Sequence, residues 1–425
     1  MACRFSIMGG ISFQYFNIVT ENSMSYSLKN LPDLHERPKA PALSRWITAL
    51  AIMMAVSFLL MHFLGRGVEN RPFWWLALGA PAALWLTAGI ARLMVWLLLS
   101  IAANGYDNRR ERWILGETRR ARRALQVLKV SFITAYPQED PREVLQALIN
   151  RQTLLLSQPD WKGEDGNRLT RFKADDEQTV DGVVRHLFSR LISDLPVNQF
   201  TDDSHLVVAF DFSSSLPHES ISDIWKDIWL ETAILCTVEY AEGHGLAMID
   251  HWLDQRIKQD AMLLVVALQV MPDETDYSAE AAVALLLGNR LTQSTLPPLA
   301  LFHRPDSSLP GQLAAGMKMA AYNVPLKNNV ISQLWLAGLS DGQHKEIIAS
   351  QKAHPAGAVD NEAVIPLDSV IGHAGAAAPW LAIATAASAA ENTQTPQLAI
   401  SGERATDMMW CTVITPVGPL KEMDS

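Results

Sequence analysis

Residues 371–386 have the sequence IGHAGAAAPWLAIATA, the most informative stretch of the chain for its fold. A Gly-His turn precedes small residues that open an apolar helix, and we expect a short strand to end just before it, at Ser369–Val370. Small residues let a helix start approach a neighbouring backbone closely, and such a start favours negative charge. A buried, tightly packed helix is therefore predicted over Ala374–Ala390.

On either side of this turn, the chain alternates between strand and helix patterns. Apolar runs predict strands at Val130–Ala135, His205–Phe212, Ala261–Val270, Ala281–Leu287, Leu299–His303, Ile331–Ala337 and Thr412–Val417. Helical spacing of apolar residues predicts helices at Pro141–Leu154, Val180–Leu195, Ile221–Cys236 and Leu246–Ile257. Ser220 is placed to cap the third of these helices. Short apolar runs separated by helices indicate an α/β sheet covered on both faces. No repeat with a period of roughly 20–50 residues is present.

Four segments resemble motifs of one superfamily, in the same order, over roughly residues 230–395. Residues 371–386 resemble the K-S-x-I-G-H-x-x-x-A-A-G signature of β-ketoacyl synthases, which are thiolase-like enzymes. Glu242–Ile249 (EGHGLAMI) resembles their nucleophile elbow, C-A-S-G-L-x-A-I. Asp260–Ala267 (DAMLLVVA) and Glu280–Leu287 (EAAVALLL) resemble the two strands that follow. The resemblance implies a thiolase-like layered α/β domain over residues 129–425, although the match in residues 129–229 is only architectural.

The residues at the catalytic positions of that family differ in this chain. The resemblance places Glu242 where the family has its nucleophilic cysteine, and Asp368 where it has a lysine. It places His373 at a histidine that assists decarboxylation and oxyanion stabilisation. The family's second catalytic histidine belongs near Trp335–Leu339, where this chain has none, and His344 lies beyond the expected turn. Because condensation needs a thiolate and imidazoles, we interpret the three positions as vestigial and the domain as non-enzymatic.

A rival motif keeps an enzyme among the alternatives. Gly338–Gly342 (GLSDG) fits the G-x-S-x-G elbow of α/β-hydrolases, which would make Ser340 a nucleophile. Asp368 and His373 follow in the order acid and then histidine. The alternative enzyme is therefore a hydrolase that uses Ser340, or an acyl-transfer enzyme that uses His373.

Neither a metal site nor a cofactor site is predicted. The cysteines Cys3, Cys236 and Cys411 are widely spaced and form no CxxC pair, which fits a reducing compartment. His244 and His251 lie seven residues apart, with Asp250 and Asp254 nearby. A metal site needs three convergent ligands, so surface or core histidines are the simpler interpretation.

The amino-terminal part of the chain predicts a transmembrane hairpin over residues 46–103. Trp46–Leu64 is a 19-residue run without charge, long enough to cross a bilayer. After a polar loop, a second apolar run from Phe73 to Ala103 is broken only by Arg92. We expect Arg92 to reach the cytoplasmic interface while Leu93–Ala103 emerges as an amphipathic helix.

Charge predicts the topology and excludes one class of partner. Residues 1–123 contain 15 Lys+Arg and 7 Asp+Glu, or +8, which leaves 20 and 38, or −18, for the rest. The acidic body should not bind nucleic acid. The positive-inside rule puts both termini and the soluble domain in the cytoplasm, at a bacterial inner membrane. Arginines expected near anionic lipid are Arg92, Arg109, Arg110, Arg112, Arg119, Arg120, Arg122 and Arg123.

Residues 1–45 are predicted to be a cytoplasmic extension, and residues 104–128 a basic juxtamembrane helix. Residues 1–23 carry no clear pattern, and Met24 is a more natural start than Met1, so we interpret 1–23 as an upstream extension of the reading frame.

The overall layout resembles the type VI secretion lipase adaptors, and this resemblance implies a protein partner. It implies an adaptor or chaperone that binds a phospholipase effector and helps to load it onto the secretion spike. A membrane-associated immunity or structural component is a second alternative to the enzyme, and a homodimer is left open.

Overall fold

The computed structural model describes most of the chain, in two compact units that divide between Arg119 and Arg120. The described residues are 31–63, 71–138, 140–173, 179–201, 203–232, 236–241, 243–289, 291–292, 296–324, 326, 330–403 and 406–418.

The first unit is built from apolar helices. They are α1 (Leu43–Phe63), the single turn α2 (Arg71–Trp74), a π-helical turn (Trp75–Gly79) and α3 (Ala80–Ala121). Two helical stretches, Leu43–Phe63 and Trp75–Ala121, are long and apolar enough to cross a membrane by length and composition. Near the start of α1, the Trp85 indole N–H donates to the Trp46 carbonyl at 2.8 Å, and the two rings pack edge to face.

Helix α3 differs from the expectation at its carboxy-terminal end. It continues without interruption past Arg92, and Leu93–Ala103, expected to emerge as an amphipathic helix, is part of it. It ends at Ala121, and the next strand begins at Ala124, so the last residues of the predicted 104–128 helix are extended instead. Leu125 and Val127 are buried in the core of the second unit, and this packing outweighs helix propensity.

The second unit is a mixed α/β fold. Its strands are β1 (Ala124–Thr134), β2 (Leu156–Ser157), β3 (Arg168–Leu169), β4 (His205–Ser213), β5 (Thr237–Ala241), β6 (Met262–Gln269), β7 (Ala281–Gly288), β8 (Ala300–His303), β9 (Asp306–Ser308), β10 (Gln333–Ala337), β11 (Val364–Pro366), β12 (Gln397–Glu403) and β13 (Met408–Pro416). Its helices are α4 (Pro141–Ile149), α5 (Val180–Ser193), α6 (His218–Glu231), α7 (Ala247–Gln255), α8 (Leu313–Asn323), α9 (Asp341–Ser350), α10 (Leu367–Val370) and α11 (Ala378–Thr393).

Most predicted elements are confirmed, including the alanine-rich strand at Ala281–Leu287, and the misses have local causes. Ser369–Val370 belongs to the one-turn helix α10, because the strand before the Gly-His turn already ends at Pro366. Ser220 lies inside α6, whose N-cap is Pro217 and has no side-chain cap.

The large sheet consists of two halves with the same strand order. Along its hydrogen-bonded path the order is β11-β10-β12-β13-β8-β1-β7-β6-β4-β5. Each half contributes five strands to this path. When these five are numbered in chain order and read from the outer edge of the sheet inward, both halves have the order three, two, four, five, one. In both halves the fifth strand, β7 or β13, is antiparallel to its two neighbours. The fold is therefore an internal duplication, in which α7 and α11 occupy the same place between the third and fourth strands.

Alternation along the central strands explains how both faces of the sheet are covered. In β7, Val283 and Leu285 face a core that contains α7 and α11, whereas Ala284 and Leu286 face a second core formed with α5 and α6. Because side chains of a strand point alternately to the two faces, an unbroken apolar run serves both cores. Helix α11 packs against strands of both halves and is buried along most of its length.

A half-buried histidine predicts a pH dependence of stability. The His303 ring on β8 bonds to the Thr415 hydroxyl at 3.0 Å, and burial lowers the pKa of His303 from 6.5 to about 4. Between those values the unfolded chain binds a proton that the folded chain does not, so stability falls as the pH falls. We expect a loss of about 2 kcal/mol between pH 7 and pH 5. Chemical denaturation of the detergent-solubilised chain at both pH values measures it, and His303→Gln should remove this part of the loss.

Candidate functional site

The Gly-His turn at residues 372–375 lies between α10 and α11 and is fixed by its backbone. The His373 N–H donates to the Tyr277 carbonyl at 2.7 Å. The His373 carbonyl accepts from the Ala279 N–H at 2.8 Å and from the Gln269 amide at 2.6 Å. At Gly372, φ is +105°, and a Cβ would lie 2.7 Å from the Ser278 carbonyl oxygen. Glycine is thus required for the turn to reach this position.

Asp368 connects this turn to the end of β10. Its buried carboxylate accepts the Gly338 N–H at 3.0 Å and the Leu339 N–H at 2.9 Å. One of its oxygens also lies 3.6 Å from the His373 Nδ1. Both carboxylate oxygens are therefore engaged with backbone amides beside the histidine that the sequence singled out.

A second Gly-His turn occupies the equivalent place in the amino-terminal half, before α7. Its residues are Gly243-His244-Gly245, and a buried carboxylate, Asp211 at the end of β4, accepts the Gly245 N–H at 2.9 Å. The His244 Nδ1 lies 3.5 Å from Asp211. Glu242, which the sequence placed at the nucleophile position, lies outside the described residues.

The two turns are linked across the duplication. The Trp380 indole N–H, from α11, donates to Asp211 at 2.7 Å. The Ala376 N–H donates to the Ser213 hydroxyl at 3.1 Å, so the end of the carboxy-terminal turn rests on β4. Burial raises the pKa of Asp211, while hydrogen bonds from Trp380 and Gly245 act in the opposite direction.

Sequence reasoning missed Asp211 and Trp380 as a pair. The one available signal was an aspartate near the end of an otherwise apolar strand, His205–Phe212. A buried carboxylate needs donors, but the sequence does not show that the donor comes from a helix 169 residues away.

Ser340 is the N-cap of α9. Its hydroxyl accepts the Gln343 N–H at 3.4 Å, and its own N–H donates to the Gln343 side chain at 2.9 Å, which completes a capping box. Asp368 contacts the backbone of the two residues before Ser340. His344 lies in the first turn of α9, where its N–H donates to the Ser340 carbonyl.

The capping role gives a prediction for Ser340. Ser340→Ala should lower the free energy of unfolding by about 1 kcal/mol, because the cap is lost. Ser340→Asp keeps a capping oxygen and should stay close to the wild type in the same denaturation experiment. A loss of equal size in both variants would contradict the capping role.

The residues near His244 and His251 have other partners. Asp250 and Asp254 both contact Arg304, whose side chain is fully buried, at 2.9 Å and 2.5 Å. His251 is exposed on α7. Over the described part of the chain, no group of three or more His, Cys, Asp or Glu side chains is placed to hold a metal ion.

Two of the arginines expected near lipid have a carboxylate partner instead. Arg120 and Arg123 both bind Asp254, at 2.5 Å and 3.1 Å. Arg110 donates to the Pro32 carbonyl within the first unit. The remaining arginines of the cluster stay candidates for lipid contact: Arg92, Arg109, Arg112, Arg119 and Arg122.

Comparison with known proteins identifies the fold. No protein-family model and no curated protein sequence matches the chain. Among solved structures, the ishigamide ketosynthase/chain length factor is similar with a TM-score of 0.53 and 12% identity, over 70% of this chain and 100% of that one. This likeness shows that the second unit has the fold of thiolase-like condensing enzymes.

Other condensing enzymes match over a similar length at lower TM-scores. A point variant of OleA from Xanthomonas campestris is 12% identical, with a TM-score of 0.42 over 69% of this chain and 98% of that one. A chain of the AntDE:AntF structure, an acyl-carrier protein in complex with its ketosynthase, is 12% identical, with a TM-score of 0.47 over 69% of this chain and 99% of that one.

Proposed function

We propose that this chain is a membrane-anchored, non-catalytic binding protein whose thiolase-like unit holds a protein partner. The observation that carries the proposal is the bonding of Asp368. At a position where the resemblance places a lysine, a carboxylate accepts two backbone N–H groups and fixes a turn. Such a carboxylate supports a structural role for this region. Glu242 at the cysteine position adds that no thiolate is supplied there.

The partner we propose is a lipase effector of a type VI secretion system, which the chain helps to load onto the secretion spike. The resemblance in overall layout to the lipase adaptors supports this identity. The charge of −18 on the residues after 123 suits a basic partner, since complementary charge raises association rates and specificity.

The proposed location is the bacterial inner membrane, with both termini and the thiolase-like unit in the cytoplasm. Two observations support it, the pair of apolar helices and the basic residues that flank them. Anionic lipid is the proposed partner of the five arginines that stay candidates for lipid contact.

An affinity capture tests the adaptor function. The detergent-solubilised full chain is tagged, captured from native cells, and its companions are identified by mass spectrometry. We expect a secreted lipase or a spike protein. A Ser340→Ala variant should capture the same proteins, because binding needs no chemistry at this position. Capture of acyl carrier protein alone, or of nothing, would overturn the proposal.

One observation favours a second candidate, a hydrolase. Asp368 and His373 lie together, and Ser340 follows directly after the turn that Asp368 holds. Against it, the Ser340 hydroxyl is committed to the cap of α9. Hydrolysis of p-nitrophenyl esters by the full chain tests it. Activity that Ser340→Ala abolishes and Ser193→Ala, at an exposed serine, retains would establish the hydrolase.

A further inference from the structure

A cavity of about 160 Å³ lies beside the carboxy-terminal Gly-His turn, and the proposed function gives it no role. Its wall includes His373 and the ends of β4 and β6, and the loop after β6 forms its rim. A cavity of about 150 Å³ admits a benzene ring, so this one can hold a planar group of similar size.

Most groups of the cavity wall that can still form a hydrogen bond are acceptors. Both protons of the Gln269 amide are donated, to the Ala279 and His373 carbonyls, at 2.7 and 2.6 Å. The Ser213 hydroxyl donates to Gln269 Oε1, and the Ser278 hydroxyl donates to the Thr275 carbonyl. Lone pairs on these oxygens remain, so a ligand here must bring donors.

His373 adds another acceptor. Its Nδ1 is shielded from solvent, lies 3.6 Å from Asp368 and, within the described residues, makes no hydrogen bond. In a neutral ring that carries its proton on Nδ1, beside Asp368, Nε2 is an acceptor. The side chain is 31% exposed, so Nε2 is the nitrogen that a ligand can reach.

The rim carries a group of acidic side chains. Asp273, Glu274 and Asp276 line it, and among the described residues of the lining there is no lysine or arginine. These carboxylates and His373 do not form a metal-holding group within the described chain. The arrangement therefore suits an organic cation rich in N–H donors.

We propose that this cavity binds a guanidinium or ammonium group, presented by an arginine or lysine side chain of the protein partner. The inference rests on the proposed binding function and deepens it. A guanidinium is planar, fits the volume, and carries five N–H donors for the acceptors of the wall and rim. The partner's basic side chain would thus reach the Gly-His turn itself.

A peptide pair tests the chemistry. The probes are Ac-Gly-Arg-Gly-amide and its citrulline analogue, which has nearly the same shape without the charge, titrated calorimetrically into the full chain in detergent. We expect the arginine peptide to bind at least about ten-fold more tightly, since hydrogen bonds between charged groups are the stronger ones. Equal binding of the two peptides would overturn the proposal.

A matched pair of variants tests whether the arginine peptide binds in this cavity. Asp273→Asn/Asp276→Asn removes two charges from the rim and keeps acceptor oxygens for Ser215 and Arg168. Glu164→Gln/Asp165→Asn removes two exposed charges that do not line the cavity. The rim variant should weaken arginine-peptide binding about ten-fold, and the control less than about two-fold. Equal losses would show general attraction to an acidic surface and overturn the site.

Affinity capture separates this inference from the proposed function. The rim variant should lose the partner that the wild type captures. If it keeps the partner, the binding function stands and the cavity assignment fails. If the wild type captures nothing, the binding function fails, and with it the assignment to a partner's side chain, even when the arginine peptide binds.

Discussion

Arg304→Met should lower the free energy of unfolding by about 3–5 kcal/mol, the cost of breaking a buried ion pair from one side. The Arg304 side chain is fully buried and lies between Asp250 and Asp254 of α7. Methionine fills a similar volume but leaves both carboxylates without their shared cation. Chemical denaturation of the detergent-solubilised chain, followed by tryptophan fluorescence, measures the change.

Arg185→Met is the matched control for this prediction. Arg185 also contacts two carboxylates, Asp227 and Glu231, but its side chain is 45% exposed. Because water and salt screen such surface pairs, the control should lose less than about 1 kcal/mol. Similar losses in the two variants would contradict a special role for burial.

The two carboxylates beside Arg304 should respond differently to neutralisation. Burial raises the pKa of Asp250 to about 6, with a further rise from the neighbouring Asp254. Burial also acts on Asp254, but hydrogen bonds from Arg120 and Arg304 hold the pKa of Asp254 below its usual value. Because the folded chain binds the Asp250 proton more tightly than the unfolded chain does, this carboxyl contributes stability at low pH. That contribution is lost as the pH rises through about 6. Asp250→Asn should remove that loss and be tolerated, whereas Asp254→Asn should destabilise the fold.

Gly372→Ala is the second substitution with a large expected effect, a loss of about 3 kcal/mol or more. The added Cβ would lie 2.7 Å from the Ser278 carbonyl oxygen, and φ at this residue is +105°, where side chains are strained. Ser278 cannot move freely, because its carbonyl also accepts the Thr170 N–H. The same denaturation experiment measures the loss.

Gly342→Ala provides the control at a glycine with room. Its Cβ would lie 3.9 Å from the Ser340 hydroxyl, an ordinary contact, and the residue is in the first turn of α9. Alanine there should be neutral or stabilising by up to about 1 kcal/mol. If the two alanine variants were equally stable, the result would contradict the close packing of the Gly-His turn against Ser278.

The sequence alone predicted the strands and helices that a local run of residues determines. The buried strands β6 and β7 and the helix α11 follow from runs of apolar or small residues, and the structure confirms them. The resemblance to condensing enzymes pointed to the observed fold, because two of its motifs fall on the turns before α7 and α11 and the other two on β6 and β7. Element ends were less accurate, since α4 and α6 end several residues before their apolar patterns do.

Long-range pairing could not be predicted in this way. The duplication is a property of strand order, and the two halves share no short sequence period. The expectation that Arg120 and Arg123 face lipid rested on neighbouring charge, whereas their partner Asp254 lies more than 130 residues away. Asp211 and Trp380 were missed for the same reason. Side-chain partners across a core are set by packing, which a linear pattern does not contain.

The duplication has a consequence for how the molecule folds and opens. Each half supplies the group that fixes the other half's Gly-His turn, since Trp380 bonds to Asp211 and Gln269 bonds to the His373 carbonyl. Neither turn can loosen without disturbing both halves. We therefore expect the two halves to unfold as one cooperative unit. The amides of Gly245 and His373 should then show the same opening free energy in hydrogen exchange. A gene truncated between the halves should yield a fragment that chaperones and proteases recognise as unfolded.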